Sequence, residues 1–96
     1  MQNLVLKIYY KNYKKEVKKM EEKILSILEE LCGDEVVRED LDIDLLEEGL
    51  LDSLDYSELL VDIKSELDVV ISPSEVTREE MNTPRKIIDK VKSKLQ

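Results

Sequence analysis

The sequence contains no histidine, tryptophan or phenylalanine, and it has one cysteine, two glycines and two prolines among 96 residues. Without histidine, the chain lacks the commonest catalytic base near neutral pH. The single cysteine, Cys32, excludes an internal disulfide and is typical of a reducing compartment. No cationic neighbour would activate its thiol, so we expect a buried residue at a helix end. No apolar run approaches membrane-spanning length, and one small domain must build its core from Leu, Ile and Val.

Acidic residues dominate, and the two signs of charge are separated along the chain. The formal net charge is -8 at pH 7. Six lysines and one glutamate give residues 1–19 about +5, which leaves about -13 on residues 20–96. An acidic body repels nucleic acid and membrane surfaces and attracts basic protein patches. We therefore expect protein partners with Arg and Lys at their docking sites, and a monomeric chain.

The pattern of the first nineteen residues does not indicate that they are part of the domain. Residues 4–10 form an apolar, strand-like run, but no other segment offers a partner strand. No lysine precedes this run, and small residues do not end the segment, so it does not read as a signal peptide. One interpretation is a basic arm for lipid or protein. The favoured one is an extension that is disordered or an artefact of the assigned start, because residues 15–17 can be encoded by a ribosome-binding sequence ahead of Met20. The domain then spans residues 20–96.

Apolar residues at three- and four-residue spacing predict three longer helices and one short helix. The first begins at Glu21 and ends at Gly33, a left-handed cap, and the last opens with Thr83 as cap and Pro84 as first residue. A brief helix over residues 74–80 precedes it, with Ser74 as cap and Val76 inward. The inward residues of the longer helices are Ile24, Leu25, Leu28 and Leu31, then Leu59, Leu60, Ile63 and Leu67, then Ile87, Ile88, Val91 and Leu95. The predicted fold is an all-α, acyl-carrier-like bundle with a long loop between its first two longer helices.

The long loop, Asp34 to Leu51, is acidic but contains many apolar residues. A loop of this length in a small domain is usually functional or packed down by its own side chains. We expect Leu41, Leu46 and Leu50 to pin it across the helix ends.

Three alternating aspartates in this loop resemble the opening of a calcium site. An EF-hand loop needs glycine at its sixth position and glutamate at its twelfth. Counted from Asp40, those positions hold Leu45 and Leu51. A solvated acidic loop is the better interpretation, and no metal site is predicted.

The loop leads through Gly49 into the second longer helix, where Ser53 marks the start. Asp52 or Ser53 can cap the free backbone N–H groups, and the positive end of the helix dipole favours an anion on this turn. A serine nucleophile needs an adjacent base, yet the nearest downstream lysine, Lys64, lies about three helical turns away. If Ser53 reacts, another protein must supply the base and the metal. The chain is then a substrate or carrier, not an enzyme.

Residues 49–54, Gly-Leu-Leu-Asp-Ser-Leu, followed by an acidic helix, resemble the attachment site of acyl carrier proteins. In that superfamily the serine receives 4'-phosphopantetheine from coenzyme A. The residues of this motif resemble most the attachment site of the D-alanyl carrier proteins of Gram-positive cell-envelope modification. Residues 82–91 are similar to the same group. The resemblance covers residues 20–95. Aspartate-serine-leucine alone is a weak signal, but its place among four predicted helices makes it specific.

The resemblance implies the cofactor, the partners and the cargo. A Mg²⁺-dependent phosphopantetheinyl transferase attaches 4'-phosphopantetheine to Ser53, and a D-alanine–carrier protein ligase loads D-alanine as a thioester on the cofactor's thiol. A membrane-bound O-acyltransferase then receives D-alanine for teichoic and lipoteichoic acids. The carrier itself is cytoplasmic and does not insert into the membrane. The residues that the resemblance assigns to partner binding are Asp52, Leu54, Asp55, Glu58 and Val61.

Two other functions remain open at this point. An acyl carrier protein for fatty-acid, polyketide or peptide synthesis would use Ser53 in the same way. Lys64 and Ser65 count against fatty-acid partners, since fatty-acid carriers commonly continue an acidic run at these places. A cofactor-free, protein-binding helical adaptor is the alternative of a different class. In a third, purely structural interpretation, Ser53 only caps a helix and the acidic residues only solubilise the bundle.

Overall fold

A computed structural model describes the backbone of residues 2–95 and the side chains of residues 14–95. Its α-helices are α1 Gln2–Cys32, α2 Val36–Glu39, α3 Ser53–Leu67 and α4 Pro84–Leu95, and a 3-10 helix spans Arg78–Met81. Residues 2–95 contain no β-strand. The prediction of an all-α bundle with three longer helices is confirmed.

Helix α1 begins at Gln2, not at Glu21 as predicted. Residues 2–32 contain neither glycine nor proline, so nothing in the sequence stops the helix, and the apolar run at residues 4–10 is helical. The contacts of the first thirteen side chains lie outside the described residues. From Lys14 to Lys19 the side chains are exposed except for half-buried Val17, which packs against the core. Among the side chains of residues 14–95, Met20 is the first that is buried.

The core lies where α1, α3 and α4 meet, and it is aliphatic except for two methionines and one tyrosine. The predicted inward faces are confirmed at their central positions, which are completely buried: Ile24, Leu28, Leu59, Ile63, Ile87 and Val91. Each such side chain contributes about 1.5–3 kcal/mol on leaving water. The prediction for Leu95 was wrong, because it lies in the last turn of α4 and is 55% exposed.

Helix α2 was not predicted, because four residues are too few to show a helical period. Its Val37 is completely buried, and it packs on α1. The Arg38 guanidinium donates to Glu22 and to the Ser26 hydroxyl, each at 2.8 Å, and also to Glu29. The first part of the long loop is thereby fixed along α1.

The second part of the loop is anchored by Leu45, which is completely buried. The predicted anchors, Leu41, Leu46 and Leu50, are only half-buried. The Leu45 N–H donates to the Asn82 carbonyl at 2.8 Å, and its carbonyl accepts from the N–H groups of Leu50 and Leu51 at 2.9 and 3.1 Å. These backbone bonds hold Leu45 inward, so the anchor differs from the prediction by one residue.

The loop aspartates form hydrogen bonds within the protein. Asp40 accepts from the N–H of Asp42, and Asp44 accepts from the N–H of Leu46, each at 3.0 Å. Asp42 pairs with Arg85 at 2.8 Å, and Asp44 also accepts from the Asn82 amide at 3.1 Å. Within residues 14–95, no group of three or more His, Cys, Asp or Glu is arranged to hold a metal ion. The aspartates shape the loop and tie it to the start of α4.

The short helix before α4 is a 3-10 helix, and it begins later than predicted. Thr77 caps it, accepting from the Glu80 N–H at 3.3 Å, while the Glu80 carboxylate accepts from the Thr77 N–H at 3.4 Å. The predicted cap, Ser74, instead exchanges a 2.9 Å hydrogen bond with the Ser72 hydroxyl. Thr77 is the cap because a capping box requires glutamate or glutamine three residues after the cap, and Glu80 has that position. Three residues after Ser74 the chain has a threonine instead.

The predicted ends of the neighbouring helices are confirmed. Gly33 adopts a φ of 68° directly after α1, the left-handed conformation expected of a glycine cap. The Thr83 hydroxyl accepts from the Lys86 N–H at 3.1 Å, and Pro84 opens α4. Among residues 2–95, no helix combines the length and the hydropathy needed to cross a bilayer.

A chain that starts at Met20 should keep the stability of the domain, because Met20 is the first buried side chain among residues 14–95. We expect its thermal midpoint to lie within about 4 °C of the full chain, the size of a typical surface effect. A control chain that starts at Leu25 also loses the buried Met20 and Ile24, and it should melt about 10 °C lower or more. Circular dichroism melting compares the three chains. A drop as large for the first truncation as for the second would show that residues 1–19 pack on the domain.

Candidate functional site

Ser53 is the first residue of α3, and its side chain is exposed. The helix starts there because Asp52 caps it. The Asp55 N–H donates to the Asp52 carboxylate at 2.9 Å, and the Asp52 N–H donates to the Asp55 carboxylate at 3.1 Å. This reciprocal capping box satisfies two backbone donors without using a hydroxyl. Of the two predicted caps, Asp52 is correct and Ser53 is not, so the Ser53 hydroxyl is free of a structural role in the cap.

The surface around Ser53 is acidic. The hydrogen bond from the Asp55 N–H is the main reason why the pKa of Asp52 lies below its usual value. Asp52 is therefore ionised at neutral pH, and exposed Glu58 follows on the next turn of α3. Anionic groups near the positive end of a helix are favoured by its dipole.

The chain has no histidine, and the carboxylates nearest Ser53, those of Asp52 and Asp55, are engaged with backbone N–H groups in the capping box. Lys64 lies near the other end of α3 and pairs with Asp68 at 2.9 Å. Cys32 is half-buried, and burial is the main cause that raises the pKa of its thiol to about 11, which agrees with an inert residue. The arrangement leaves the Ser53 hydroxyl accessible from solvent.

Beside Ser53, α3 exposes two large apolar side chains, which are Leu54, 81% exposed, and Val61, 64% exposed. They are seven residues apart and lie on the same side of the helix, with exposed Glu58 between them. Asp52 is exposed at the start of this side, and Asp55 is half-buried in the capping box. Four of the five predicted partner-binding residues are thus freely accessible, and Asp55 is partly committed to the helix cap.

Two backbone carbonyls at the end of the 3-10 helix, those of Met81 and Asn82, hold the chain on both sides of Ser53. The Tyr56 hydroxyl, on the first turn of α3, donates to the Met81 carbonyl at 3.0 Å. The Asn82 carbonyl accepts from Leu45, on the loop that leads to Ser53. Burial is the main cause that raises the pKa of Tyr56 to about 12, so its hydroxyl keeps its proton. We call Met81 and Asn82, with these two bonds, the bracket.

Sequence reasoning missed Tyr56. It is the one aromatic residue of residues 20–96, which marks it as unusual. Its place in an acidic helix gave no indication that it faces inward. Its partner Met81 lies 25 residues away along the chain, and no sequence pattern joins the two.

A surface pocket of about 180 Å³ opens beside Ser53, between α3 and residues 73–81. Its lining combines apolar side chains with hydroxyls and one guanidinium: Ser53, Tyr56, Ser57, Leu60, Pro73, Val76, Thr77, Arg78 and Met81. Because Ser53 is exposed and the pocket is open to solvent, a phosphodiester on its hydroxyl fits without displacing a core residue.

Comparisons with known proteins agree with this geometry. The chain matches the family model described as "Phosphopantetheine attachment site" over residues 22–91. It is 55% identical to the D-alanyl carrier protein of Abiotrophia defectiva over 76 residues. These residues are 79% of this chain and 96% of the relative. The D-alanyl carrier protein of Lactococcus lactis subsp. cremoris is 44% identical over 75 residues, 78% of this chain and 95% of the relative. The D-alanyl carrier protein of Bacillus cereus is 44% identical over 70 residues, which are 73% of this chain and 89% of the relative.

The chain therefore belongs to the family of carrier proteins with a phosphopantetheine attachment site and, within that family, to the D-alanyl carrier proteins. Its prosthetic group is covalently attached 4'-phosphopantetheine. This membership excludes the cofactor-free adaptor. The separate interpretation of Ser53 as no more than the helix cap is contradicted by the structure, in which Asp52 is the cap.

Replacing Tyr56 with phenylalanine should loosen the bracket. The variant keeps the buried ring but leaves the Met81 carbonyl without its donor. We expect a loss of about 1 kcal/mol, or about 4–8 °C in the thermal midpoint. Ser57→Ala is the control, because the Ser57 hydroxyl is exposed and makes only a 3.4 Å contact within α3. Equal midpoints for Tyr56→Phe and the wild type would show that the bond does not stabilise the fold.

The helix cap should also appear in the pH dependence of stability. The pKa of Asp52 is lowered in the folded state, so its stabilisation is present above the unfolded value and is lost as the pH falls through the folded value. In the variant Asp52→Asn, the amide side chain still caps the helix but does not titrate. Melting curves between about pH 6 and pH 2 should therefore fall more steeply for the wild type than for Asp52→Asn. Parallel curves would contradict the contribution of the ionised cap.

Proposed function

We propose that this protein carries 4'-phosphopantetheine on Ser53 and delivers D-alanine as its cargo. The observation that supports this most directly is the exposed Ser53 hydroxyl at the start of α3, left free by the Asp52 cap, in a D-alanyl carrier protein. When bound, the cofactor supplies a thiol on which D-alanine is held as a thioester. The residues of the chain anchor this group and present it to other proteins.

The protein's contribution at Ser53 is electrostatic and geometric. The N-terminal end of α3 carries partial positive charge, which favours the negative phosphodiester. The capping box and the bracket fix the backbone before and after Ser53. The chain has no histidine, Lys64 lies near the other end of α3, and the neighbouring carboxylates of Asp52 and Asp55 are engaged in the capping box, so we assign deprotonation of the hydroxyl to a Mg²⁺-dependent phosphopantetheinyl transferase.

The exposed side of α3 is the proposed docking surface for the partners, formed by Asp52, Leu54, Asp55, Glu58 and Val61. Its acidic residues would meet Arg and Lys on the transferase, on a D-alanine–carrier protein ligase and on a membrane-bound O-acyltransferase, and charge attraction of this kind speeds association. Leu54 and Val61 would be covered in each complex. The acyltransferase would pass D-alanine to teichoic acids, lipoteichoic acid included, with the carrier acting as a monomer in the cytoplasm.

We also propose that residues 20–96 form the carrier domain and that residues 1–19 are an extension, disordered in solution or an artefact of the assigned start. Among the side chains of residues 14–95, Met20 is the first that is buried, and the family match begins at residue 22. The relatives match over 70–76 residues, most of their own length. N-terminal sequencing of the native protein tests the start: a first residue at position 20 is expected, and a mature chain beginning at Met1 would exclude the artefact.

The attachment is tested by intact mass after incubation with coenzyme A, Mg²⁺ and a phosphopantetheinyl transferase. The wild type should gain the mass of one phosphopantetheine, and Ser53→Ala should gain nothing. Ser57→Ala is the matched control, because Ser57 is also exposed and lies one turn further along α3. A mass gain by Ser53→Ala, or none by the wild type, would remove Ser53 from this role.

The cargo is tested on the same loaded protein. A D-alanine–carrier protein ligase with ATP and D-alanine should add one D-alanyl group, which hydroxylamine should release because a thioester is labile to this reagent. A fatty-acid ligase with its own substrate should add little. The reverse preference would favour the acyl carrier of fatty-acid, polyketide or peptide synthesis, which shares the attachment but differs in cargo.

A further inference from the structure

Arg78 stands apart from the other cations of the carrier domain. Every other Lys or Arg within residues 20–95 has a hydrogen bond or an ion pair: Lys23, Arg38, Lys64, Arg85, Lys86, Lys90, Lys92 and Lys94. The described structure shows no such partner for the Arg78 side chain, which is exposed. This is notable in a domain of about -13, where carboxylates are plentiful.

The position of Arg78 is as informative as its lack of a partner. As first residue of the 3-10 helix, it lines the same pocket as Ser53. Its positive charge also reaches Tyr56 on the first turn of α3, where it acts against the burial that raises the pKa of that residue. The bracket holds the 3-10 helix in place against α3, so the Arg78 backbone has a fixed relation to Ser53.

We propose that Arg78 binds the phosphodiester that joins phosphopantetheine to Ser53. This inference rests on the proposed function. The phosphodiester brings one more negative charge to a surface that already carries Asp52 and Asp55, and the helix dipole offsets only part of that repulsion. A guanidinium suits a phosphate group because it donates two parallel N–H bonds to its oxygens. Arg78 thus supplies the missing counter-charge from the other wall of the pocket.

The competing role for an unpaired arginine is to meet a carboxylate on a partner protein. The two roles differ in a protein free of partners. Phosphate binding by Arg78 changes the loaded carrier alone in solution, whereas a partner contact changes only the complex. The experiment therefore compares unloaded and loaded carrier without any other protein present.

The variants are Arg78→Gln, which removes the charge, Arg78→Lys, which keeps it, and Lys19→Gln as control. Lys19 is an exposed cation, and the substitution changes the net charge equally. It lies far from Ser53, because Lys23, one turn further along α1, donates to the Glu66 carbonyl near the opposite end of α3. Intact mass first establishes that each variant carries one phosphopantetheine; absence of any gain in the wild type would refute the proposed function and not this inference.

The first readout is the difference in thermal midpoint between the loaded and the unloaded form of each protein, measured in low salt. We expect this difference to be smaller by about 2 °C in Arg78→Gln than in the wild type, the size of an exposed ion pair in a domain of this length. It should be largely retained in Arg78→Lys and unchanged in Lys19→Gln. In about 1 M salt the wild type and Arg78→Gln should agree, because screening removes an exposed pair.

The second readout is nuclear magnetic resonance of the same loaded proteins. The phosphorus resonance should move in Arg78→Gln and stay in place in Lys19→Gln, and the Arg78 side-chain N–H signal of the wild type should shift on loading. Loaded carriers with identical phosphorus spectra and identical midpoint differences would overturn the inference. So would a variant whose only defect is a raised KM for the transferase, since this would assign Arg78 to a partner contact.

Discussion

The geometry of the attachment site depends on the bracket, two backbone carbonyls that accept one hydrogen bond from each side of Ser53. The Tyr56 hydroxyl holds the first turn of α3, and the Leu45 N–H holds the loop that enters it. Buried donors and acceptors are costly to leave unpaired, so these bonds resist opening more than exposed ones do. Between them the Ser53 side chain is exposed on a fixed backbone, which suits a residue that other proteins must reach.

Charge is distributed so that most cations act within the fold and the acids of α3 remain outside it. Arg38 ties α2 to α1, and Arg85 ties the long loop to α4. The exposed side of α3 pairs with neither Arg38 nor Arg85, so its negative charge faces solvent, as the proposed docking surface requires. Arg78 is the exception on the described surface of the domain, and its position in the pocket beside Ser53 gives that exception a chemical explanation.

Local signals predicted much of the fold. The three longer helices follow from apolar spacing, and the ends at Gly33 and Pro84 follow from residue types that cap helices. Two errors also have local causes. Helix α1 was predicted to begin at Glu21, although no glycine or proline interrupts residues 2–32. Ser74 was predicted to cap the short helix, although the capping box of Thr77 and Glu80 is present in the sequence. The sequence pattern could not show whether Leu45 or Leu46 anchors the loop. The choice depends on the hydrogen bond from the Leu45 N–H to the distant Asn82 carbonyl, which holds Leu45 inward.

The sequence by itself determined that Ser53 begins a helix, that the chain has no histidine and no nearby lysine to activate it, and that its surroundings are acidic. These are properties of neighbouring residues and of composition, which a linear pattern records. Only the tertiary structure decided that Asp52 is the cap actually used, that Tyr56 and Leu45 meet Met81 and Asn82, and that Arg78 shares a pocket with Ser53. Apart from the cap, these contacts join residues that lie 25 or more positions apart, and their partners are selected by how the helices pack, which no local spacing encodes.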